Sequence, residues 1–233
     1  MAYLFPPRQP PCLTIVGSDV LFPVRKIFCI GLNYAEHTHE VGMVSDRGRP
    51  LFFQKSPEAL VPQQNAEEVL TITYPPATKD YHYEAELVVV LHKGGRNLTP
   101  DQADECIFGY AIGLDMTRRD LQNLYREKSW PWDMAKNFDE SAPVGVLYPR
   151  SILGNLGNAE VTLDVNGTRQ QTGCLDQMVW SSSEMVSEIS KLVKVSPGDI
   201  IFTGTPSGIG PVQRGDLMEV SIGKLGKMRV SIK

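Results

Sequence analysis

The chain is predicted to be α+β, rich in short strands and poor in helices, and three features of the sequence predict it. EAELVVVL (84–91) is a run of branched apolar residues too continuous for a strand with one wet face, so it reads as a strand buried on both sides. VTLDVNGTRQQ (161–171) sets Asn166-Gly167 between alternating residues, the strongest short-range hairpin signal. Strands and helices do not alternate regularly along the chain, which excludes a doubly wound sheet.

The remaining elements follow in order. Residues 1–25 carry Pro6, Pro7, Pro10, Pro11 and Pro23 and read as an N-terminal arm, extended or in short edge strands, ahead of a catalytic domain over 26–233. KIFCIGL (26–32) is a buried strand. NYAEHTHEVG (33–42) is a short helix with Asn33 as cap, Glu36 at the capping-box position and Gly42 as the left-handed stop. The polar stretch 43–50 is a mobile connection, and LFFQK (51–55) a strand. TPDQADECIFGY (99–110) starts as a helix capped by Thr99 with Pro100 in the first turn, then runs into the strand AIGLDMT (111–117). TRRDLQNLYREK (117–128) is a helix capped by Thr117, and SSSEMVSEISKLV (181–193) one with Ser181 and Glu184 as a capping box. DIIFTGT, DLMEVSI and KMRVSI close the chain as short strands.

Composition excludes several classes of function. A net charge of −4 on 233 residues argues against nucleic acid or an anionic membrane as partner. No run approaches the roughly 20 apolar residues of a membrane span, and the start MAYLFPPRQPPCL lacks the pattern of a signal peptide. Cys12, Cys29, Cys106 and Cys174 have neither disulfide-framework nor zinc-ribbon spacing, so free thiols in a cytoplasmic protein are expected.

The chemistry begins with Glu84 and Glu86. Two apart on a strand, they point from one face, and two like charges entering a buried strand repel each other and lose hydration. A bound cation relieves both costs; a wet strand end, or pairing to Arg or Lys, is the alternative. Asp115 ends the apolar run IFGYAIGLD, where its other use is at a helix N-terminus. Three carboxylates make an all-oxygen site suited to Mg²⁺, Mn²⁺ or Ca²⁺, with positions left open for water and substrate. His82 shares that strand face and can support a ligand.

His37 and Glu40 stand three apart on the short helix, the spacing at which a carboxylate orients an imidazole as general base; a solvated surface pair is the alternative. Arg118, Arg119 and Gln122 open the next helix, and Arg119 with Gln122 can hold a substrate carboxylate unless this is a charged solvent face. Lys136 in WPWDMAKNFD is either desolvated against aromatic residues or lies over them with its charge in water. TGTPSGIG (203–210) matches neither a phosphate loop nor a dinucleotide fingerprint; its backbone N–H groups suit an anion, or it is a tight turn.

Together GLNYAEHTHE, LFFQKS, YHYEAELVVVL, GYAIGLDMTRRDLQ, WPWDMAKNFDESAPV and IFTGTPSGIGP, in this order, resemble the fumarylacetoacetate hydrolase superfamily from about residue 26 to 233. The resemblance implies a mixed β-roll with short flanking helices, a homodimer, and a Mg²⁺ or Mn²⁺ site on Glu84, Glu86 and Asp115. It implies a lid helix carrying His37 and Glu40, a catalytic Lys136, a substrate clamp of Arg119 and Gln122, and Thr205 at the substrate carboxylate. The short form is most similar to the acylpyruvase and fumarylpyruvate-hydrolase branch. Two departures stand out. Ser56 follows Lys55 where relatives often carry proline, and Arg118 replaces a small residue of some relatives, which favours a second substrate carboxylate.

The expected activity is hydrolytic C–C cleavage of a 2,4-dioxo acid to pyruvate and a carboxylic acid. A decarboxylase of oxaloacetate-like acids or an oxo-acid isomerase would use the same metal site, and a non-catalytic metal-binding protein is the alternative of another class.

Overall fold

The Ala85–Leu91 strand is buried along its whole length and therefore cannot be an edge. In the computed structural model, which describes residues 3–40, 42 and 47–233, it lies in the middle of an eight-stranded mixed sheet. From one edge the order is Leu51–Lys55, Lys26–Gly31, Asp199–Phe202, Ala85–Leu91, Ile107–Leu114, Ala142–Val144 and Leu60–Pro62, with Tyr148–Pro149 also paired to Ile107–Leu114. Asp199–Phe202 runs parallel to Lys26–Gly31 and antiparallel to Ala85–Leu91, so the sheet mixes both senses.

A five-stranded sheet packs over one face in the order Thr168–Cys174, Glu160–Val165, Leu217–Ile222, Lys227–Ile232, Val69–Ile72. Leu87, Ile112 and Leu114 of the first sheet meet Leu163, Val220, Met228 and Val230 of the second in one core. The arrangement is the mixed β-roll that the strand pattern and the resemblance imply. The Asn166-Gly167 turn is present, with φ of 51° and 79°, both in the left-handed region that a two-residue hairpin turn requires.

The opposite face is covered by the N-terminal segment, while the helix Ser182–Leu192 lies beside the five-stranded sheet on the first face, the side of Leu87 and Val89. Cys12–Thr14 and Leu21–Pro23 form a hairpin that buries Leu13 and Phe22 against Val88, Val90 and Phe202. Ser182–Leu192, capped by the expected Ser181/Glu184 box, buries Val186 and Ile189 against Phe28, Val89 and Ile201. Thr99 caps Pro100–Asp104 with Gln102 completing the box. Among the described residues, no helix is long and apolar enough to cross a membrane. Residues 43–46 of the expected mobile connection lie outside the described residues.

Two expected caps serve other purposes. Thr117 does not cap the following helix: it pairs with His82 in a small three-stranded sheet, and Arg119–Glu127 begins without a side-chain cap. Asn33 does not cap Ala35–Glu40. Its fully buried amide donates to Trp180 O (3.0 Å) and Thr203 O (2.8 Å) and accepts from Trp180 N–H (2.7 Å), tying three distant segments together. Asn33→Ala strands those groups in a dry environment and is expected to lower stability by about 2–4 kcal/mol. Urea unfolding of the metal-free protein measures this, and a midpoint unchanged from the parent contradicts it.

Candidate active site

The site forms where two neighbouring strands leave the eight-stranded sheet. Glu84 sits in the break between Tyr81–Tyr83 and Ala85–Leu91, and Asp115 follows Ile107–Leu114; Asp115 N–H donates to Glu84 O (2.9 Å) across the gap. Beyond this point both chains enter the small sheet of Thr117–Arg118, Tyr81–Tyr83 and Gly210–Pro211. The change of sheet turns Glu84 and Asp115 inward beside Glu86. Carboxylate oxygens of the three residues lie within 4.8 Å of one another, and all three are buried.

Cations crowd around two of these carboxylates. Lys136 Nζ donates to Glu84 Oε2 (2.7 Å) and Asp115 Oδ2 (2.9 Å). Arg119 Nη2 donates to Glu84 Oε1, and Lys55 Nζ stands 2.8 Å from Asp115 Oδ1. Burial acts to raise the Glu84 pKa, but Lys136 and Arg119 together outweigh it and hold the carboxyl well below the usual carboxylate range. Burial acts to lower the Lys136 pKa, and Asp115 and Glu84 reverse that, so Lys136 is an ammonium ion rather than a neutral amine.

Glu86 differs. Among the described residues, its one hydrogen bond is from Gly204 N–H to Oε2 (2.7 Å), and no cationic side chain pairs with it. Burial, then the charges of Asp115 and Glu84, push its carboxyl well above the usual range; Lys136 and the Gly204 N–H offset only part of this. A cluster of hard oxygen donors with one under-compensated carboxylate fits a divalent cation such as Mg²⁺ or Mn²⁺. Both readings of the glutamate pair therefore hold in part: Glu84 is salt-bridged, and Glu86 awaits a positive charge.

The base pair assembles on the short helix. His37 Nδ1 lies 3.1 Å from Glu40 Oε2, and with that proton directed at the carboxylate, Nε2 keeps its lone pair. Glu40 in turn accepts Gly208 N–H at 3.1 and 3.2 Å, docking the helix on the glycine-rich loop. The turn into this helix holds Leu32 at φ 62°, an unusual conformation for leucine, at the pocket wall.

His37, Glu84, Glu86, Arg119, Gln122, Lys136 and Thr205 line one pocket, walled by Ile30, Leu32, Phe53 and Trp132. Asp115 lies against Glu84 and Glu86, and Glu40 behind His37. Arg119 Nη1 donates to Gln122 Oε1, so the two expected clamp residues are joined, while Arg119 Nε is buried without a hydrogen-bond partner. Two expected residues are elsewhere. Arg118 precedes Arg119 in extended backbone and so points the other way: it donates to Met134 O (3.1 Å), stacks 4.3 Å over Phe138 and lines a different cavity. His82 pairs with Asp80 (2.7 Å) instead of a carboxylate of the cluster.

Two residues escaped sequence reasoning. Lys55 ends the strand LFFQK with a fully buried side chain whose Nζ also donates to Met116 O (3.1 Å); a lysine beside aromatic residues is the same signal that marked Lys136. Gln171 is fully buried, accepts Ala85 N–H (3.0 Å) and donates to Thr205 Oγ1 (2.8 Å) and Pro206 O (2.8 Å). It joins the Glu-Ala-Glu strand to the glycine-rich loop. Its inward direction is hidden by a register shift at Leu163/Asp164 in the partner strand.

The family model described as fumarylacetoacetate (FAA) hydrolase C-terminal matches residues 26–233. A fumarylpyruvate hydrolase of Ralstonia sp. is 42% identical over 166 residues, 71% of this chain and 83% of that protein. The mitochondrial oxaloacetate tautomerase of Bos taurus is 34% identical over 209 residues, 90% of this chain and 92% of that protein. The crystal structure of fumarylpyruvate hydrolase from Pseudomonas aeruginosa in complex with Mn²⁺ and pyruvate superposes with a TM-score of 0.96 at 47% identity, covering 99% of each chain.

Because the Glu86 pKa is raised by folding, the stabilisation from its proton is present at acid pH and lost as pH rises through the folded value. At neutral pH the metal-free protein carries a net cost there. Glu86→Gln is expected to raise the neutral-pH Tm of metal-free protein by about 2–4 °C, the shift that about 1 kcal/mol produces at this chain length. The gain vanishes toward acid pH, and the rise in Tm on adding MnCl₂ is largely lost. A metal-free variant less stable than its parent at neutral pH contradicts the assignment.

Proposed function

Since the chain belongs to the fumarylacetoacetate hydrolase family, we propose that it hydrolyses a C–C bond of a 2,4-dioxo acid, an acylpyruvate such as fumarylpyruvate. The products are pyruvate and a carboxylic acid. The observation that carries this reading is the position of the His37–Glu40 pair, which faces into the same pocket as the carboxylate cluster, Lys136 and the Arg119–Gln122 clamp. Simple metal-assisted decarboxylation has no use for such a base.

Glu84, Glu86 and Asp115 hold Mg²⁺ or Mn²⁺, which supplies Lewis-acid polarisation of the substrate's 2-oxo acid end when bound. Arg119, preset by Gln122 and Glu84, and the Thr205 hydroxyl, preset by Gln171, receive the carboxylate at that end. His37 Nε2 takes a proton from water as its oxygen adds to the 4-carbonyl, and Glu40 stabilises the imidazolium that results. The C3–C4 bond then breaks, its electron pair remaining with C3 as the enolate of pyruvate. The Lys136 ammonium offsets that negative charge, and a proton delivered to C3 completes pyruvate. The walls formed by Phe53 and Trp132 exclude bulk water from these charges. A cytoplasmic homodimer belongs to the same reading and rests on the family resemblance.

A second reading, tautomerisation or decarboxylation of an oxaloacetate-like acid, is favoured by the near full-length similarity to the bovine tautomerase. It needs the cation and a proton carrier but no attack by water. His37→Ala separates the two. Hydrolysis of fumarylpyruvate, followed as loss of its enol absorbance with Mn²⁺ present, is expected to fall about 10²–10⁴-fold in kcat, the usual worth of a general base. Metal-assisted decarboxylation of oxaloacetate is expected to fall far less. Hydrolysis that survives the substitution removes His37 from the mechanism.

A further inference from the structure

The Arg119–Glu127 helix is turned inside out for a packing element. It buries Arg119 and Gln122, while Leu124 is 40% exposed. Polar side chains directed inward lose hydration, a cost that Arg119 and Gln122 offset by pairing with each other and with Glu84. Arg126 belongs to the same inward stripe. Seven residues make nearly two full turns, so Arg126 falls on the face of Arg119, about 10 Å further along the axis. Arg119, Gln122 and Arg126 all line the pocket.

We infer that Arg126 binds a second carboxylate at the far end of the substrate, so that the pocket selects dicarboxylic 2,4-dioxo acids over monocarboxylic ones. The inference rests on the acylpyruvate reading above and assigns a residue to its specificity. In fumarylpyruvate six bonds separate the two carboxyl carbons, which span roughly 7–8 Å when extended, two peptide-unit lengths. Guanidinium groups about 10 Å apart at their Cα atoms bracket that span. The pocket is also lined by Leu32, Phe53 and Trp132, apolar side chains that suit the C=C unit next to the far carboxylate. Arginine offers a carboxylate two parallel N–H bonds, more directional than a lysine contact. Arg118, which the sequence offers for this part, faces the cavity beside Phe138 and cannot reach the pocket.

The test compares kcat/KM for fumarylpyruvate and acetylpyruvate, with Mn²⁺, in the parent, Arg126→Met and Arg126→Lys. The parent prefers fumarylpyruvate. Arg126→Met is expected to cut that preference about 10–100-fold, the worth of a charged hydrogen bond, mainly through KM, and Arg126→Lys to restore part of it. A preference in Arg126→Met within about threefold of the parent overturns the inference. A second measurement needs neither turnover nor a folded variant. By calorimetry, Mn²⁺-loaded parent protein should bind 2-oxoheptanedioate at least about tenfold tighter than 2-oxoheptanoate, which differs only in lacking the second carboxylate. Equal affinities overturn the far-end subsite. If neither acylpyruvate is hydrolysed, the hydrolase reading fails by itself, while the two uncleavable acids still decide the subsite.

Discussion

Six ionisable side chains packed into one dry junction govern this molecule: Glu84, Glu86 and Asp115 against Lys55, Lys136 and Arg119. Such a network is poor economy if stability is the aim, because desolvation of buried ions consumes most of their mutual attraction. Its distribution shows what else it does. Lys136 is shared between Glu84 and Asp115, Arg119 takes the other oxygen of Glu84, and Lys55 the other oxygen of Asp115. Glu86 alone receives only a backbone N–H. The network is nearly neutral without a cation but uneven, and the unevenness points at one place. That place is Glu86, which lines the pocket together with Glu84, Arg119 and Lys136.

Neutral groups hold the ions in position. Gln171 hydrogen-bonds the peptide between the two glutamates and the hydroxyl of Thr205, so the ligand strand and the substrate-facing loop share one buried amide. Asn33 performs the same service between the Thr203 carbonyl and the Trp180 peptide at the foot of the short helix. Amides suit these places because they supply donors and acceptors in fixed geometry without adding charge to a junction already crowded with it.

Much of this was legible in the sequence, and the failures have a common cause. Glu84, Glu86 and Asp115 stood out because carboxylates interrupt apolar runs, and His37 with Glu40 because helical spacing brings them together; both signals are local. Thr99 and Ser181 were likewise readable as caps, since a capping box closes within four residues. Asn33 and Thr117 have the same cap chemistry, but long-range partners claimed their side chains: Trp180 and Thr203 for Asn33, the Asp115–Glu84 region for Thr117. Arg118 and Arg119 are both expected at the substrate, and the extended backbone there sends the two neighbours to opposite sides, only Arg119 into the pocket. Lys55 and Gln171 act across more than fifty residues of chain, where periodicity carries no information.

The glycine-rich loop brings these threads together through its backbone. Gly204 N–H donates to Glu86 and Gly208 N–H to Glu40, so a carboxylate of the acidic cluster and the partner of His37 draw on one short segment. Neither glycine can be replaced at low cost. Both have φ near +90°, and a Cβ would stand 2.8 Å from Asn33 Cβ at Gly204 and 2.1 Å from Gln170 O at Gly208. The loop is thus pressed between the short helix and the hairpin strand, with Thr205 held between these two N–H donors by Gln171. Because Glu40 meets Gly208 N–H and His37 with the same carboxylate, docking of the helix and orientation of the imidazole are a single event.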